Sequence, residues 1–260
     1  MTYRCALITG ASSGIGEAFA RALPKSTSLL LTGRDRAKLT HLASELANAE
    51  RNVRSIAADL ATAEGRQAVI AFAEDQSVDL FINNAGIGQL GRVVDNPPER
   101  ESEMAQLNMV APVELTRALL PGMLQRCGEG WRGGLIFVAS AAAFMPVPLF
   151  ATYAASKAFL LHYAEALAEE LSGAPIDVLA LCPGATRTRF FERARMTRLD
   201  SLHQMHGADR VACEGLQALG HRVVHVVGPT NYLATAAARF LPRRFVAAAA
   251  ERAMRRFGGQ

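Results

Sequence analysis

The chain has 260 residues, of which 28 are basic and 24 acidic, giving a formal net charge of +4 at pH 7. Half of the residues are hydrophobic, which excludes a disordered or fibrous chain and allows one large domain. The four cysteines, at positions 5, 127, 182 and 213, form no Cys-x-x-Cys pair or zinc-ligand spacing. They indicate free thiols in a reducing compartment, and since the beginning MTYRCALITG does not resemble a secretory leader, we expect a cytoplasmic protein.

Seven apolar runs of strand length follow one another along the chain, with helical patterns between them. The runs are RCALITG (4–10), SLLLTGR (28–34), VRSIAADL (53–60), VDLFINNAG (78–86), GLIFVAS (134–140), IDVLALCPG (176–184) and RVVHVVG (222–228). Their continuous apolar character is typical of strands covered on both faces. The alternation of strand and helix therefore predicts one domain over residues 1–260, an α/β doubly wound sheet of seven parallel strands with helices on both faces.

One uncharged stretch, residues 133–156, is as long as a membrane span. Pro146 and Pro148 interrupt it, and its first half has the pattern of a buried strand. We therefore expect no transmembrane segment.

Polar clusters fall at the ends of six predicted strands. They are TGASSGIG after the first strand, GRD after the second, ADL at the third, NNAG after the fourth, VAS at the fifth and CPGATRT after the sixth. Because ligands of doubly wound sheets bind at the carboxyl ends of the strands, these clusters predict one binding site at that edge.

The first cluster contains a glycine loop between a strand and a helix. Gly10, Gly14 and Gly16 have the spacing Gly-x-x-x-Gly-x-Gly, which permits a tight turn and close approach of backbone to a phosphate. The helix that follows offers free N–H groups and a partial positive charge to a diphosphate.

Tyr153 and Lys157 are four residues apart in a predicted helix, so their side chains share one face. Lys157 is one of only three lysines, since the other 25 basic residues are arginines. An ammonium near the phenol stabilises the phenolate and makes tyrosine a better acid–base group. The alternative is a polar stripe on an amphipathic helix.

The motifs TGASSGIG (9–16), NNAG (83–86), Asn108 in QLNMVAP, Ser140, YAASK (153–157) and PG (183–184) resemble, in order and spacing, those of the short-chain dehydrogenase/reductases. The resemblance covers almost the whole chain and implies a Rossmann-type domain that binds a nicotinamide dinucleotide. It implies a catalytic tetrad of Asn108, Ser140, Tyr153 and Lys157. Lys157 would also bind the nicotinamide ribose, and Asn108 would organise a water chain.

The same resemblance implies the remaining cofactor contacts. Besides Tyr153 and Lys157 they are Gly10, Ser12, Ser13, Gly14, Ile15 and Gly16 in the glycine loop, Asp59 and Leu60 at the adenine, Asn83, Ala85 and Gly86 at the adenosine ribose, and Pro183, Gly184 and Thr186 at the carboxamide. Asn83 has an alternative role, bracing neighbouring strands.

The end of the second strand favours NADP(H) over NAD(H). Gly33 stands where an NAD-selecting carboxylate would lie, and Arg34 follows, suited to a 2′-phosphate. Asp35 is placed to cap the next helix. Ser13, however, occupies the loop position where some NADP enzymes carry a second basic residue.

Residues 186–221 predict a substrate lid, and residues 229–259 a basic helical tail broken at Pro242. The lid arginines at 187, 189, 193, 195 and 198 indicate either a solvated face or contacts to an anionic substrate, for which Arg189 and Arg193 are the candidates. His203 and His206 have no acidic or cysteine partner nearby, so we expect no metal site. We expect the tail to dock on the body or on a second subunit of a homodimer or homotetramer rather than on a membrane.

The sequence favours an NADP(H)-dependent oxidoreductase that interconverts a ketone, aldehyde or 3-oxoacyl group and an alcohol, with Tyr153 as general acid/base. The alternative is a dinucleotide-binding regulator without turnover, but such proteins usually lose the Tyr or the Lys. Its partners would be small molecules, since no motif beyond the basic tail points to nucleic acid.

Overall fold

The computed structural model describes residues 3–127, 131–196 and 205–257. Its sheet consists of β1 (Cys5–Thr9), β2 (Ser28–Gly33), β3 (Val53–Ala57), β4 (Leu80–Asn83), β5 (Gly133–Val138), β6 (Ile176–Cys182) and β7 (Val224–Val226). The spatial order is β3-β2-β1-β4-β5-β6-β7, and every pair is parallel. The chain thus crosses from one half of the sheet to the other between β3 and β4, and the switch point lies between β1 and β4.

Ten α-helices connect and cover the strands within the described residues. They are α1 (Gly14–Ala22), α2 (Arg36–Leu46), α3 (Ala63–Ala73), α4 (Pro98–Ala105), α5 (Ala111–Arg126), α6 (Ala151–Glu170), α7 (Phe190–Arg193), α8 (Ala208–Ala218), α9 (Pro229–Phe240) and α10 (Arg243–Arg255). A π-helical turn, Gln106–Val110, joins α4 to α5, and a 3₁₀ turn, Ala141–Phe144, follows β5.

Two apolar clusters lie on opposite faces of the sheet because successive side chains of a strand point to opposite sides. On one face Leu7, Phe81 and Phe137 pack under α3, α5 and α6. On the other, Ile8 and Leu31 pack under α1, α2 and α8. Burial of each such side chain contributes about 1.5–3 kcal/mol of transfer free energy, so the sheet is held from both sides.

The prediction of a seven-stranded, doubly wound parallel sheet is confirmed, and the observed strands are shorter than the predicted runs at most ends. The uncharged stretch 133–156 divides into β5, the 3₁₀ turn and the start of α6. Within the described residues, no helix combines the length and the apolarity needed to cross a bilayer.

Residues 186–221, for which a lid is predicted, divide into two parts in the structure. Helix α8 packs against α1, with Val211, Ala212 and Ala218 buried in the core, so it belongs to the body of the domain. Among the described residues, the part of this segment that faces the binding cavity is 186–196. The tail divides at Pro242 into α9 and α10, as predicted.

Candidate active site

A cavity of about 900 Å³ lies at the carboxyl ends of the strands. The segments after β1, β2, β3, β4, β5 and β6 all contribute to its wall. We call the part near Arg34 and Asp59 the Arg34 end, and the part around Tyr153 the Tyr153 end. All six polar clusters found in the sequence therefore meet at one site.

The glycine loop forms the floor between the two ends. Gly10 and Gly14 have φ angles of 66° and 62°, a backbone region that favours glycine. The N-terminus of α1 follows, and its N-cap residue Ser13 makes no side-chain capping hydrogen bond. Ser12, Ser13 and Ile15 line the cavity with the glycines, so the first N–H groups of α1 are available to an anionic ligand.

Gly16 and Asn83 do not line the cavity, although both were predicted to bind the cofactor. Gly16 lies against the Gly10 carbonyl and allows α1 to approach the loop closely. Asn83 is buried at the end of β4, where its side chain meets Thr9, which fits its alternative role as a brace between strands. The neighbouring Asn84 lines the cavity and donates to the Thr9 carbonyl at 2.9 Å.

At the Arg34 end, the guanidinium of Arg34 is half exposed and forms an ion pair with Glu103 of α4, Nη1 to Oε1 at 2.9 Å. Glu103 also pairs with Arg100. Asp35 caps α2 as predicted, accepting a hydrogen bond from the Lys38 N–H at 3.1 Å. Hydrogen bonds from Lys38 lower the pKa of the Asp35 carboxyl, and the charge of Arg189 acts in the same direction.

Asp59, Leu60, Ala85 and Gly86 line the cavity as expected from the resemblance. A β-carbon at Gly86 would lie 3.2 Å from Lys157 Nζ and 3.3 Å from Asn108 Oδ1. The segment after β4 thus passes directly beside two of the predicted catalytic residues.

Tyr153 lies in the first turn of α6 and is almost fully buried. Its ring packs between Phe150 and Phe190, with centroid distances of 4.4 and 5.2 Å. Burial raises the pKa of the phenol to about 12, and a hydrogen bond with Ser140 opposes this rise. In the protein alone the phenol is therefore protonated at neutral pH.

Lys157 lies one helical turn further, with Nζ 5.7 Å from the centre of the Tyr153 ring. Nζ donates to the Val138 carbonyl at the end of β5 at 2.8 Å. Burial lowers the pKa of Lys157 to about 8. The expectation that the ammonium depresses the pKa of Tyr153 is therefore not met in the protein alone, where burial of the phenol is the largest influence on its pKa.

Asn108 lies in the π-helical turn, a distortion that frequently marks functional sites. Its amide is fully buried and pairs with both backbone groups of Ile87: Oδ1 accepts from the N–H at 3.0 Å and Nδ2 donates to the carbonyl at 2.9 Å. Nδ2 also donates to Ser156 Oγ at 2.9 Å. The amide therefore connects the segment after β4 to α6, next to Lys157.

Ser140 lies two residues after β5, as the N-cap of the 3₁₀ turn, and faces the cavity, where its Oγ accepts from the Ala142 N–H at 3.1 Å. Pro183, Gly184 and Thr186 follow β6 and line the same wall. Asn231 of α9 packs against Gly184, and its Nδ2 donates to the Val227 carbonyl at 2.8 Å. Ser140, Tyr153 and Lys157 therefore line one end of the cavity, whereas Asn108 does not line it and lies buried behind Gly86, next to Lys157.

Residues of the segment 186–196 and of the tail also line the cavity. Phe190 of α7 packs on Tyr153, and Phe191, Arg189 and Arg193 line the same cavity. Thr188 packs over Gly14, so the lid begins directly above the glycine loop. His206 lies within 3.3 Å of Asn231, whereas Arg198 and His203 fall outside the described residues.

Sequence reasoning missed several residues of the site. Val138 and Ser156 stand inside VAS and YAASK, but nothing in those motifs singles out the Val138 carbonyl or the Ser156 hydroxyl. Phe150 and Asn231 stand in no motif, because their contacts depend on how distant segments pack. Asn84 and Thr9, by contrast, stand inside quoted motifs and are recognisable from the polar cluster at each strand end.

The comparisons with known proteins agree on the family. The model of the short chain dehydrogenase family matches residues 4–199. The uncharacterized oxidoreductase YvaG of Bacillus subtilis is 34% identical over 203 residues, 77% of this chain and 73% of its own. The chain spans 60% of the length of a short chain dehydrogenase from Pseudocercospora fijiensis and 43% of that of the probable oxidoreductase EphD from Mycobacterium tuberculosis.

Two solved structures share the fold. A short-chain dehydrogenase from Sphingobium yanoikuyae in complex with NADPH is 31% identical, with a TM-score of 0.79, over 91% of this chain and 93% of its own. The bulky-bulky ketone specific alcohol dehydrogenase from Comamonas testosteroni is 29% identical, with a TM-score of 0.75, over 92% and 93%. With the cavity, its glycine loop and the sequence match in agreement, the chain belongs to the short-chain dehydrogenase family.

Proposed function

We propose that this protein is an NADP(H)-dependent oxidoreductase that interconverts a carbonyl group and an alcohol by hydride transfer. The observation that carries the proposal is that Tyr153, Lys157 and Ser140 line one end of a cavity whose floor is the glycine loop, with Asn108 buried directly behind them. A purely structural role does not explain Lys157 well, because it is a buried cation without an acidic partner among the described residues.

The residues present fit a nicotinamide dinucleotide. The N-terminus of α1, uncapped by a side chain, suits a diphosphate. Arg34, at the opposite end from Tyr153, suits a 2′-phosphate, and Lys157 would hold the nicotinamide ribose. Relatives described with NADPH and with NADH support the dinucleotide, and Arg34 favours NADP(H).

When bound, the reduced dinucleotide supplies the hydride. Ser140 Oγ donates a hydrogen bond to the substrate oxygen, and Tyr153 Oη donates its proton to that oxygen as negative charge develops there. The high pKa of Tyr153 keeps this proton in place until it is needed. Lys157 stabilises the phenolate left behind, and Asn108 holds the Ile87 backbone beside it.

A second candidate function is a regulator that binds dinucleotide without turnover. The retention of Tyr153 and Lys157 in the cavity argues against it, because a pure sensor needs neither a buried phenol nor a buried amine at the substrate end.

The test is consumption of NADPH against a panel of ketones, aldehydes and 3-oxoacyl thioesters, followed by absorbance. We expect turnover with at least one class and a loss of at least about 100-fold in Tyr153→Phe, the lower range for a missing acid–base group. Tight binding of NADPH without consumption in either direction would favour the regulator.

We also propose a cytoplasmic homodimer or homotetramer. The four cysteines are free thiols, which suits a reducing compartment. Large apolar side chains remain exposed on α9 and at its junction with α10, among them Tyr232, Leu233, Phe240 and Phe245. A second copy would cover them, and the molar mass from light scattering tests this: a monomer at micromolar concentration contradicts the proposal.

A further inference from the structure

The loop between β3 and α3 brings Asp59 and Leu60, the two predicted adenine contacts, to the wall of the cavity. Two hydrogen bonds lie within this loop. Asp59 Oδ1 accepts from the Ala61 N–H at 3.0 Å, and the Asp59 carbonyl accepts from Thr62 Oγ1 at 3.0 Å. The carbonyls of Leu60 and Ala61 are bound instead by a charged side chain from α3.

That side chain is Arg66, at the end of the first turn of α3, and only 5% of its surface is exposed. Its Nη1 donates to the Leu60 carbonyl at 3.2 Å and to the Ala61 carbonyl at 3.1 Å. Its Nε donates to Glu114 Oε2 of α5 at 2.7 Å, and its Nη2 donates to Oε1 at 3.3 Å. Arg66 therefore connects the β3–α3 loop to α3 and α5.

The guanidinium suits this position because its N–H groups lie in one plane in a fixed fork, so they can serve a carboxylate and two carbonyls together. Burial of a cation is unfavourable unless the cation is paired and hydrogen-bonded, and Glu114 and the two carbonyls meet that condition. Arg66 itself does not line the cavity. It can therefore act on a bound ligand only through the loop that it holds.

A second buried arginine, Arg51, holds a different segment with the same kind of contact. It is 4% exposed, and its Nη2 donates to the carbonyl of Leu23 at 2.6 Å and to that of Pro24. These carbonyls follow α1, and neither they nor Arg51 line the cavity. The two arginines thus match in burial and in backbone partners, but only Arg66 holds a segment of the site.

We propose that Arg66 is a positioning residue for the adenine half of the dinucleotide. The proposal rests on the cofactor binding of the proposed function and adds a residue to it. Because Asp59 Oδ1 is bound to the Ala61 N–H, a movement of Ala61 also moves the carboxylate that faces the cavity. A loop released from Arg66 would have to be ordered again when the cofactor binds, and this ordering lowers the affinity.

The experiment measures the Kd of NADPH, of NADH and of reduced nicotinamide mononucleotide, which lacks the adenine half, by calorimetric titration. Arg66→Met removes all of the donors but keeps an unbranched side chain. It should raise the Kd of both dinucleotides at least about tenfold and that of the mononucleotide less than about twofold. The kcat at saturating cofactor should not fall, because no group that touches the reacting atoms is changed.

The matched control is Arg51→Met, which removes an equally buried guanidinium outside the site. Circular dichroism melting reports the stability of both variants. Arg51→Met should leave all three Kd values within about twofold of those of the wild type, whatever stability it loses. An equal rise in the Kd of the dinucleotides in both variants would show that Arg66 contributes only to stability and would overturn the proposal.

Glu114→Ala keeps the proposal testable if Arg66→Met does not fold. It removes a half-exposed carboxylate that orients the guanidinium, and it leaves the buried side chain in place. It should raise the Kd of the dinucleotides about threefold and leave that of the mononucleotide unchanged. Unchanged binding of all three compounds would contradict a positioning role for the pair.

Binding and turnover together separate this proposal from the proposed function. If the Kd values follow the expected pattern but no carbonyl compound is consumed, Arg66 keeps its role and the oxidoreductase activity is wrong. If carbonyl compounds are reduced but Arg66→Met binds the dinucleotides as the wild type does, the positioning role is wrong and the activity stands. If the wild type binds neither NADPH nor NADH, both are wrong.

Discussion

Burial sets the protonation of the two central residues. Tyr153 and Lys157 are both almost completely removed from water, and burial disfavours the charged form of each. The phenol is therefore a ready proton donor, whereas the lysine changes charge within the range in which enzymes are assayed. These directions suit reduction of a carbonyl, in which the substrate oxygen takes up a proton.

The first prediction concerns pH. Since burial lowers the pKa of Lys157 to about 8, its ammonium is present below that pH and is lost above it. We expect kcat/KM for carbonyl reduction, which reports the free enzyme, to fall as the pH rises through about 8, because the neutral amine no longer stabilises the phenolate. Tyr153, with its pKa raised to about 12, is not the source of this fall. Steady-state rates measured from about pH 6 to about pH 10, roughly two units on either side of the Lys157 pKa, test this prediction. A rate that does not change with pH over this range contradicts it.

The second prediction concerns Arg34. NADPH should bind about tenfold more tightly than NADH, the effect of one charge-assisted contact, and Arg34→Ala should remove most of that difference without changing NADH binding. Glu103 competes with a phosphate for the same guanidinium, so Glu103→Gln should tighten NADPH binding alone. Fluorescence titration of both cofactors measures this, and equal affinities in the native protein would exclude the assignment.

At the scale of elements, α7 and the residue before it place two arginines in different parts of the cavity. Arg189 acts on Asp35 at the Arg34 end, and the adjacent Thr188 lies over Gly14 of the glycine loop. Arg193 lies one turn further along α7, beyond the apolar Phe190 and Phe191. The expected contact of either arginine with an anionic substrate therefore separates into two distinct hypotheses.

The third prediction follows from this arrangement. Arg189→Ala should raise the Kd of NADPH several-fold, about 3–10-fold for one exposed charge near phosphate, whereas Arg193→Ala should not change it. Arg193→Ala should instead raise KM for an acidic carbonyl substrate more than for a neutral one. Each variant is the other's control. If each variant changes the Kd of NADPH and the KM of both substrate types to the same extent, neither arginine makes a selective contact, and both belong to a solvated face.

At the scale of the whole molecule, charge is unevenly distributed. From residue 187 onward the sequence has 13 basic and 5 acidic residues, a balance of +8, and the rest has a balance of −4. The described part of this basic segment includes α7, α9 and α10, which border the cavity. A positive rim attracts an anionic dinucleotide from a distance.

The fourth prediction is that the association rate of NADPH falls with ionic strength. Raising salt from about 0.01 to 0.2 M shortens the screening length several-fold, so the rate constant should drop by about an order of magnitude. Stopped-flow fluorescence measures it, with dissociation rates as the comparison. If only dissociation responds to salt, the basic rim does not act in the encounter.

The fold and much of the site follow from local patterns in the sequence. Strand runs, helix spacing and the motifs from TGASSGIG to YAASK are short-range signals, and they locate the sheet edge at which the cavity forms. Contacts between distant segments have no such signal: Arg34 meets Glu103 across 69 positions, and α10 reaches the Tyr153 end from the C-terminal part. The sequence did not predict that the pKa of Tyr153 is raised, because this shift depends on how completely the folded chain excludes water from the phenol.

The central claim is that Tyr153 and Lys157 act as one proton-donating unit, and the fifth prediction tests it. Lys157→Arg keeps the positive charge but replaces a compact, titratable amine by a larger guanidinium that practically never gives up its proton. In single-turnover NADPH oxidation, with circular dichroism as the folding control, it should lose at least about 100-fold in rate. Tyr153→Phe should lose at least as much, and the double variant little more, because residues that act together are not additive. Near-native turnover by a folded Lys157→Arg protein would contradict the account, since Lys157 would then supply only charge.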